Sequence, residues 1–485
     1  MKFNKKLAVA VSGAVLLMAG QIALADSTTD IVDALVSKGV LTEEEGKLIT
    51  KGAKSQKEAQ DKAIKGKLSI SGALENATLY GDLRARFEDR QATGFVDGKQ
   101  KSGTATLDRF RGKFLLGMEM KSGDWYSDFA LSTGGKGRSD NFNFGSSSTS
   151  GGLYSSKSGD QAIAVNRLMV GWNAQPWLNV QVGRMKNPLY TNQMVWDADL
   201  PVEGLSENIK YDLANAQIFA SLNQIAYQVG QSAPNIYFND GVTANITAHT
   251  VQLFANQIGI KGNITPEASG KAAITYYSYN DSTGGIGAAG AGTGGNLGKF
   301  TPGLSSANYT ATNQQGVNNL SIVEIPAEVN YYFSGSNIGI RVFGDYALNT
   351  TADQRARAAS QSFGGAGSED HAYALGFTIA SAPDLKSFEG NKLKQGDWQA
   401  RVWYQEIGIW ALDPNTPDSD FMDGRVNTKG VVAKGQYNIR DNVLFNVSAG
   451  YGMRKNNKFQ AAGYGDMGFD FSHMGLLQTD ITWKF

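Results

Sequence analysis

The stretch LYGDLRARFEDR, at residues 79–90, decides the fold. Leu79, Leu83, Ala85 and Phe87 occupy alternate positions along it. The positions beside them carry the polar or charged side chains of Asp82, Arg84, Arg86 and Glu88. Because successive side chains of a strand point to opposite faces, this alternation predicts a β-strand with one apolar face and one charged face.

The same alternation recurs along the chain. In the segment 107–121, Phe110, Phe114 and Leu116 alternate with arginine and lysine. We predict 16 strands, near 77–90, 107–121, 124–134, 162–174, 177–186, 205–213, 215–225, 247–265, 270–280, 320–334, 336–349, 371–382, 397–410, 427–439, 442–454 and 475–485. The sixth, seventh and eighth segments are weakly patterned, so 14 or 18 strands are alternatives.

Strand length and connection length both favour a membrane barrel over a soluble β-sandwich. A strand that crosses the outer membrane obliquely needs about 9 to 11 residues, and most predicted segments reach that length. Tight turns alternate with long connections, as in barrels with short periplasmic turns and long outer loops. The long connections are expected around 91–106, 135–161, 187–204, 226–246, 281–319, 350–370, 411–426 and 455–474. Only 383–396 is long where a short turn is due. The sequence therefore predicts an all-β fold, a transmembrane antiparallel β-barrel of about 16 strands, over residues 67–485.

Composition excludes several other classes of protein. The 485-residue chain has no cysteine, so a disulfide framework and a thiolate metal site are both impossible. Its 45 basic residues equal its 45 acidic residues, and we expect no nucleic-acid partner. The sequence has no run of 18 apolar residues, which excludes a helical membrane protein. A secreted soluble β protein would share the high glycine content and is kept as an alternative.

The N-terminal region is predicted to direct export. Three lysines, an apolar stretch over 7–20 and the small residues Ala23 and Ala25 indicate a signal peptide over residues 1–25. Residues 26–66 are rich in lysine, glutamate and alanine, and Thr42 followed by Glu45 forms a capping box. We expect a short periplasmic helical segment there, either a solvated linker or a contact with the cell envelope.

The C-terminus suits closure of a barrel. Leu477, Thr479, Ile481, Trp483 and Phe485 share one face of the last predicted strand. A barrel must seal its last strand against its first, because an open edge would leave unpaired backbone groups in lipid. A terminal aromatic residue with this alternation resembles the assembly signal of outer-membrane porins.

Two further stretches carry a family likeness. They are VGRMKNPLYTNQMVWDADLPVEGL at residues 182–205 and LVSKGVLTEEE at residues 35–45. Together with residues 79–90 they resemble the bacterial putative porin family, general-porin-like barrels of the outer membrane. The resemblance implies passive diffusion of small polar solutes and surroundings of outer-membrane lipid and lipopolysaccharide. It implies a homotrimer by likeness to 16-strand porins. The residues themselves lead us to expect no cofactor, metal site or catalytic residue.

A row of basic side chains is the candidate pore wall. The residues share the polar positions of the first, second and fourth strands; they are Arg84, Arg86, Arg109, Arg111, Lys113 and Arg167. We expect them to line one wall of the lumen and to give a weak preference for anions. The alternative is a solvated wall without influence on selectivity.

The segment 187–206 is the candidate constriction loop, because it is the third long connection and carries Trp196, Leu200 and Pro201. We expect it to fold into the lumen, with three acidic residues facing the basic wall: Asp197, Asp199 and Glu203. Arg184 and Lys186 share the positions of the lipid-facing side chains, and we expect the membrane to end there so that both turn toward the pore mouth. An outward surface loop is the alternative.

Other apparent motifs are weak. Gly285, Gly287 and Gly290 match a dinucleotide-binding spacing without a flanking strand and helix. Asp418, Asp420, Asp423 and Gly424 resemble part of a calcium loop, but we expect solvated loop carboxylates there, with a weak surface calcium site as the alternative.

The three histidines, His249, His371 and His473, have no local partner that would indicate a nucleophile and its base. We therefore predict a channel rather than an enzyme. An outer-membrane barrel hydrolase is the alternative from another class.

Overall fold

The computed structural model describes the part of the chain that forms the barrel. The described residues are 76–95, 102–134, 139–144, 163–228, 251–280, 320–353, 356, 365–381, 394–457, 462–463 and 470–485. The predicted signal peptide (1–25) and helical segment (26–66) lie outside them, as do His249 and the glycines near Gly285. Within these ranges, no helix has the length and apolar character needed to cross a membrane.

Sixteen long strands form the main sheet and are labelled β1–β16 in chain order. Their bounds are β1 Asn76–Phe95, β2 Ser102–Ser122, β3 Trp125–Thr133, β4 Ile163–Gln175, β5 Leu178–Met185, β6 Val202–Asp212, β7 Ala216–Gln228, β8 Val251–Asn263, β9 Ala268–Asn280, β10 Ser321–Tyr332, β11 Gly339–Asn349, β12 His371–Ala380, β13 Trp398–Ile407, β14 Thr428–Arg440, β15 Val443–Arg454 and β16 Asp470–Lys484. A two-residue strand, Phe142–Asn143, adds to β2, and Arg425–Val426 pairs separately with Ala462–Gly463.

The sheet closes on itself. Each long strand pairs antiparallel with its neighbours in sequence, and β16 pairs with β1. At the seam, Gly81 N donates to Phe485 O at 3.0 Å, and Phe485 N donates to Gly81 O at 3.1 Å. Closure pairs backbone groups that would otherwise be exposed to hydrocarbon. The predicted fold class is confirmed as a closed antiparallel barrel of 16 strands.

Each predicted strand corresponds to an observed one, although several ends differ. β6 begins at Val202 rather than 205, because Val202 still pairs with Met185 of β5. β1 extends to Phe95, where it remains paired with β16. Periodicity misses such ends because pairing continues into residues that no longer alternate.

The two faces of the sheet differ in the predicted way. Exposed apolar side chains cover the outside, including Leu79, Phe110, Ile258, Val342 and Leu375. Buried polar side chains point inward, including Arg86, Gln257, Glu324, Gln436 and Gln478. This arrangement of an apolar outer band and a polar interior is the one that a membrane barrel requires.

Tight turns lie at one end of the barrel, such as 123–124, where Gly123 adopts a φ of 55° that favours glycine. Aromatic residues mark the same end: Trp125 and Trp172 stack with ring centroids 5.5 Å apart, and Trp177 and Tyr211 are exposed. Aromatic girdles lie at membrane interfaces, and short turns face the periplasm. We therefore assign this end to the periplasm.

Candidate functional site

The segment 186–201, between β5 and β6, crosses the inside of the barrel. Tyr190 N donates to Gln257 Oε1 at 2.9 Å, and Gln257 Nε2 donates to Tyr190 O at 2.8 Å. The Tyr190 hydroxyl donates to Glu328 at 3.0 Å, and the Thr191 hydroxyl donates to Glu324 at 2.6 Å. These partners lie on the inner face of β8 and β10, so the segment is anchored away from the strands that it connects.

Apolar side chains pack the middle of this segment against its surroundings. Met194, Val195 and Trp196 are buried. Trp196 Nε1 donates to Leu200 O at 3.0 Å, which folds the segment back on itself. Buried aromatic and aliphatic side chains each contribute about 1.5–3 kcal/mol relative to exposure. The segment is therefore packed inside the lumen, in a hydrophobic cluster that it shares with the barrel wall and with residues 409–412.

A second segment, 408–427 between β13 and β14, also folds into the barrel. Its apolar residues are buried, among them Ile409, Trp410, Leu412, Phe421 and Met422. It contacts the first segment directly: Asp197 N donates to Thr416 O at 2.6 Å, and Asp418 N donates to Gln193 O at 2.9 Å. The prediction of 411–426 as an outer loop is wrong, and the adjacent apolar residues Phe421 and Met422 were the available signal.

An ion-pair network joins this second segment to the wall. Arg86 lies 2.8 Å from Asp420 and 3.2 Å from Asp480. Arg90 lies 2.9 Å from Asp423 and 2.9 Å from Glu88. Taking these charges out of water is costly, and the cost is offset only because each arginine meets carboxylates at close range.

Glu88 is the centre of the same network. Its carboxylate is fully buried and also lies 2.5 Å from Arg109 and 3.4 Å from Arg111. Arg86, Arg109 and Arg111 point into the barrel, and all three are paired with acids. Their charges are therefore largely compensated by the network.

The acidic residues at 418–423 are also engaged. Burial alone would raise the pKa of Asp420, but Arg86 and Arg90 outweigh it and hold the pKa well below its usual value. Asp423 additionally pairs with Arg425 at 2.9 Å. Among the described residues, no group of three or more His, Asp or Glu side chains is placed to hold a metal ion. Arginines occupy the surroundings that a calcium ion would need.

The remaining predicted basic residues lie nearer the periplasmic end. Lys113 Nζ lies 3.1 Å from Asp140 and 3.6 Å from Asp199. Arg167 lies 3.3 Å from Asp128, and its guanidinium stacks over the Tyr80 ring at 5.1 Å. Arg84 donates to the side-chain oxygen of Asn141 at 2.8 Å.

A cavity of about 860 Å³ lies inside the barrel next to the segment 186–201. Its basic lining residues are Lys113, Arg167, Lys186, Arg341, Arg401 and Lys484. Its acidic lining residues are Asp82, Asp140, Asp199 and Glu328. Arg341 and Arg401 belong to β11 and β13, whereas Lys113 and Arg167 belong to β2 and β4. Charged side chains therefore line the cavity from well-separated strands of the barrel.

The sequence also matches a known family. The family model described as putative porin matches residues 90–301 and 317–450. The chain belongs to the putative porin family. No curated protein matches it. Family membership and the closed barrel make this protein an outer-membrane porin, a channel for small polar solutes. They favour neither of the alternatives, a barrel hydrolase or a secreted soluble β protein.

Solved structures resemble the porin at low sequence identity. OprB of Pseudomonas putida is 11% identical, with 84% of this chain and 94% of that chain covered and a TM-score of 0.47. The outer-membrane channel DcaP of Acinetobacter baumannii is 12% identical, with 86% and 99% covered and a TM-score of 0.41. OmpF of Salmonella typhi is 10% identical, with 84% and 97% covered and a TM-score of 0.40.

The three acidic residues that were predicted to face the basic wall lie in three different surroundings. Asp199 lies beside Lys113, with 3.6 Å between the carboxylate and the ammonium group. Asp197 is buried and accepts hydrogen bonds from the backbone N–H groups of Asp199 and Ser419, so its contacts tie the two inward segments together. Glu203 belongs to β6 and pairs with Arg184 on the outer face, so its predicted place opposite the basic wall is wrong.

The limits of the inward segment differ from the predicted ones. The predicted span 187–206 is too long, because β6 already begins at Val202. Arg184 stays on the outer face beside Glu203, whereas Lys186 lines the cavity. The strand ends between these two basic residues, and only the second is free to turn inward.

Arg341 and Arg401 were missed by the sequence reasoning. Both occupy inward positions of predicted strands, so the alternation itself was a signal. Their relation to Lys113 and Arg167 depends on how the strands close into a ring. Periodicity within one strand carries no information about which strands face each other.

Proposed function

We propose that the porin prefers small anions and carboxylate-bearing solutes over cations, and that the segment 186–201 forms the constriction. The basic lining of the cavity supports this, because the lining bases outnumber the lining acids. Low-dielectric walls concentrate the field of such charges and raise the local concentration of oppositely charged solutes.

The pairing of the charges explains why the preference would be weak. Lys113 is compensated by Asp140 and Asp199, and Glu328 lies 3.7 Å from Arg341. Lys186 has no ion-pair partner among the described residues, and its side chain is exposed to the cavity. The net field therefore depends on a few side chains, above all Lys186.

The test is the reversal potential of the purified porin in a planar bilayer under a salt gradient. We expect weak anion selectivity, which Lys186→Gln and Arg401→Gln each move toward equal permeability. Arg440→Gln, at an exposed residue at the end of β14 outside the cavity, is the control. Strong cation preference in the unaltered porin would overturn the proposal.

We also propose that the porin assembles as a homotrimer surrounded by outer-membrane lipid and lipopolysaccharide. The resemblance to 16-strand porins supports this. Cross-linking in intact outer membranes, followed by mass determination in detergent, should give a complex of three copies. Recovery of monomers alone would contradict it.

We propose, finally, that export removes residues 1–25 and leaves 26–66 as a periplasmic helical segment. The lysines, the apolar stretch and the small residues before Asp26 support the cleavage site. N-terminal sequencing of the mature porin should begin at Asp26. Deletion of 26–66 should lower the helical signal in far-UV circular dichroism and leave the strand signal.

A further inference from the structure

The outer face of β6 carries a carboxylate in the middle of the lipid-facing band. Glu207 is paired across the sheet with Val180 of β5 and Leu222 of β7. Leu222 and the nearby Val182 are 42% and 54% exposed, which shows that this face points outward. In the part of the chain that the structure describes, Glu207 has no hydrogen-bond or ion-pair partner.

The height of Glu207 follows from its position along β6. Tyr211, exposed at the periplasmic end, and Glu203, paired with Arg184 at the other end, share its face. Four residues of a strand rising about 3.3 Å each and tilted by about 40° cover roughly 10 Å of membrane thickness. Glu207 therefore lies roughly 10 Å from either end of the band.

Two amide side chains accompany this carboxylate. Gln224 of β7 is paired with Leu205, and Asn256 of β8 is paired with Leu222, so both point outward and both are exposed. Elsewhere on the described outer face, charged side chains lie toward the long-loop end, as Glu406 and Lys429 do. The polar patch is thus confined to adjacent strands, and we define it as Glu207, Gln224 and Asn256.

We infer that this patch and the flanking outer face of β5–β8 form a contact surface for a second copy of the porin. Charged and amide groups are costly against lipid and are retained where protein covers them. A second copy fits the chemistry, because the face carries both signs of charge in Arg184, Glu203 and Glu207. The amides donate and accept, so they can pair with each other or with a carboxylate.

This inference rests on the proposed assembly of several copies and is independent of the proposed ion preference. Glu207→Leu and Glu207→Gln separate the two possible surroundings of the side chain. At a contact surface, Glu207→Leu should weaken assembly about tenfold or more in detergent, and Glu207→Gln should weaken it less. Against lipid, Glu207→Leu should leave assembly unchanged and raise the midpoint of thermal unfolding. Tyr346→Leu, on the outer face of β11, is the control.

A second measurement locates the surface without changing Glu207. A photo-cross-linking phenylalanine analogue replaces either Leu222 or Leu375, both of which are exposed on the outer face. Irradiation in intact outer membranes should join copies of the porin at position 222 and not at position 375. Cross-links from 222 to lipid or lipopolysaccharide alone, or an assembly unaffected by Glu207→Leu, would overturn the inference. Single-channel conductance of the same preparations reports separately whether the pore function is intact.

Discussion

The guanidinium of Arg86 on β1 and the carboxylate of Asp420 in the segment 408–427 lie 2.8 Å apart. This ion pair joins the barrel wall to the segment that folds inside the barrel. Their side chains are 3% and 21% exposed, so water screens the pair poorly. Arg90 and Asp423 form a second link at 2.9 Å. The position of the inward segment therefore depends on ion pairs as well as on its buried apolar residues.

Asp420→Asn should loosen this segment. The substitution leaves Arg86 without one of its carboxylates, and breaking a buried ion pair costs about 3–5 kcal/mol. We expect a larger single-channel conductance and a lower midpoint of thermal unfolding, with the barrel still assembled. Asp418→Asn is the control and should leave the conductance unchanged, because an asparagine oxygen can still accept the hydrogen bond that Asp418 accepts from the N–H of Asp420. Equal conductance in all three proteins would show that the segment does not restrict the pore.

Lowering the pH should reproduce part of the increase in conductance that is expected for Asp420→Asn. The arginines hold the pKa of Asp420 well below its usual value despite its burial. A lowered folded-state pKa means that the stabilisation is complete above the unfolded value of about 4 and is lost as the pH falls toward the folded value. Conductance should stay constant between about pH 5 and pH 8 and rise only below about pH 4. The Asp420→Asn variant lacks this titrating carboxylate, so its conductance should rise less as the pH is lowered below about 4.

Gln257→Leu should release the constriction segment at its far end. Gln257 is buried and pairs with both the N–H and the C=O of Tyr190. Leaving a buried polar group unpaired costs about 1–3 kcal/mol. We expect single-channel recordings with more open-state noise and a higher mean conductance. Gln252→Leu changes an exposed residue of the same strand and should leave the recordings as they were; an equal effect there would argue against a specific anchor.

The sequence predicted the barrel well because membrane crossing imposes a repeated pattern. Apolar side chains must face lipid at every second position of each strand, so Leu83 and Phe110 indicate the face of β1 and β2 locally. The inward position of 408–427 depends instead on contacts such as Arg86 with Asp420, which are far apart in the chain. The prediction placed Glu203 in the inward loop for a similar reason. Its pairing with Arg184 extends β6 beyond the residues that alternate, and alternation within the strand does not reveal this pairing.

Lys186 should give the selectivity a distinctive dependence on alkaline pH. Partial desolvation beside the cavity, together with Arg167, lowers the pKa of Lys186 below its usual value. An ordinary lysine has a pKa near 10.4, so Lys186 loses its positive charge at a lower pH than an ordinary lysine does. Anion preference should begin to fall before that pH is reached, as measured by reversal potentials. Lys186→Gln should start with a lower preference and lack this early fall.

Gly81→Ala should prevent the barrel from sealing. An added Cβ at Gly81 would lie 2.4 Å from the carbonyl oxygen of Leu115 and 2.6 Å from Cζ of Phe485. The first contact involves the backbone of β2 and the second the terminal aromatic ring, so relief requires movement of both strands beside β1. We expect little folded barrel, measured as loss of the compact band in unheated electrophoresis and as sensitivity to protease.

The matched control for this substitution is Gly435→Ala, on β14, where an added Cβ meets nothing within 4 Å. It should assemble as the unaltered porin does. Gly81→Ala combined with Phe485→Ala removes the ring but keeps the clash with the Leu115 carbonyl, so assembly should recover only in part. Full recovery in the double variant would mean that the ring alone excludes a side chain at residue 81. Normal assembly of Gly81→Ala by itself would contradict the close approach at the seam.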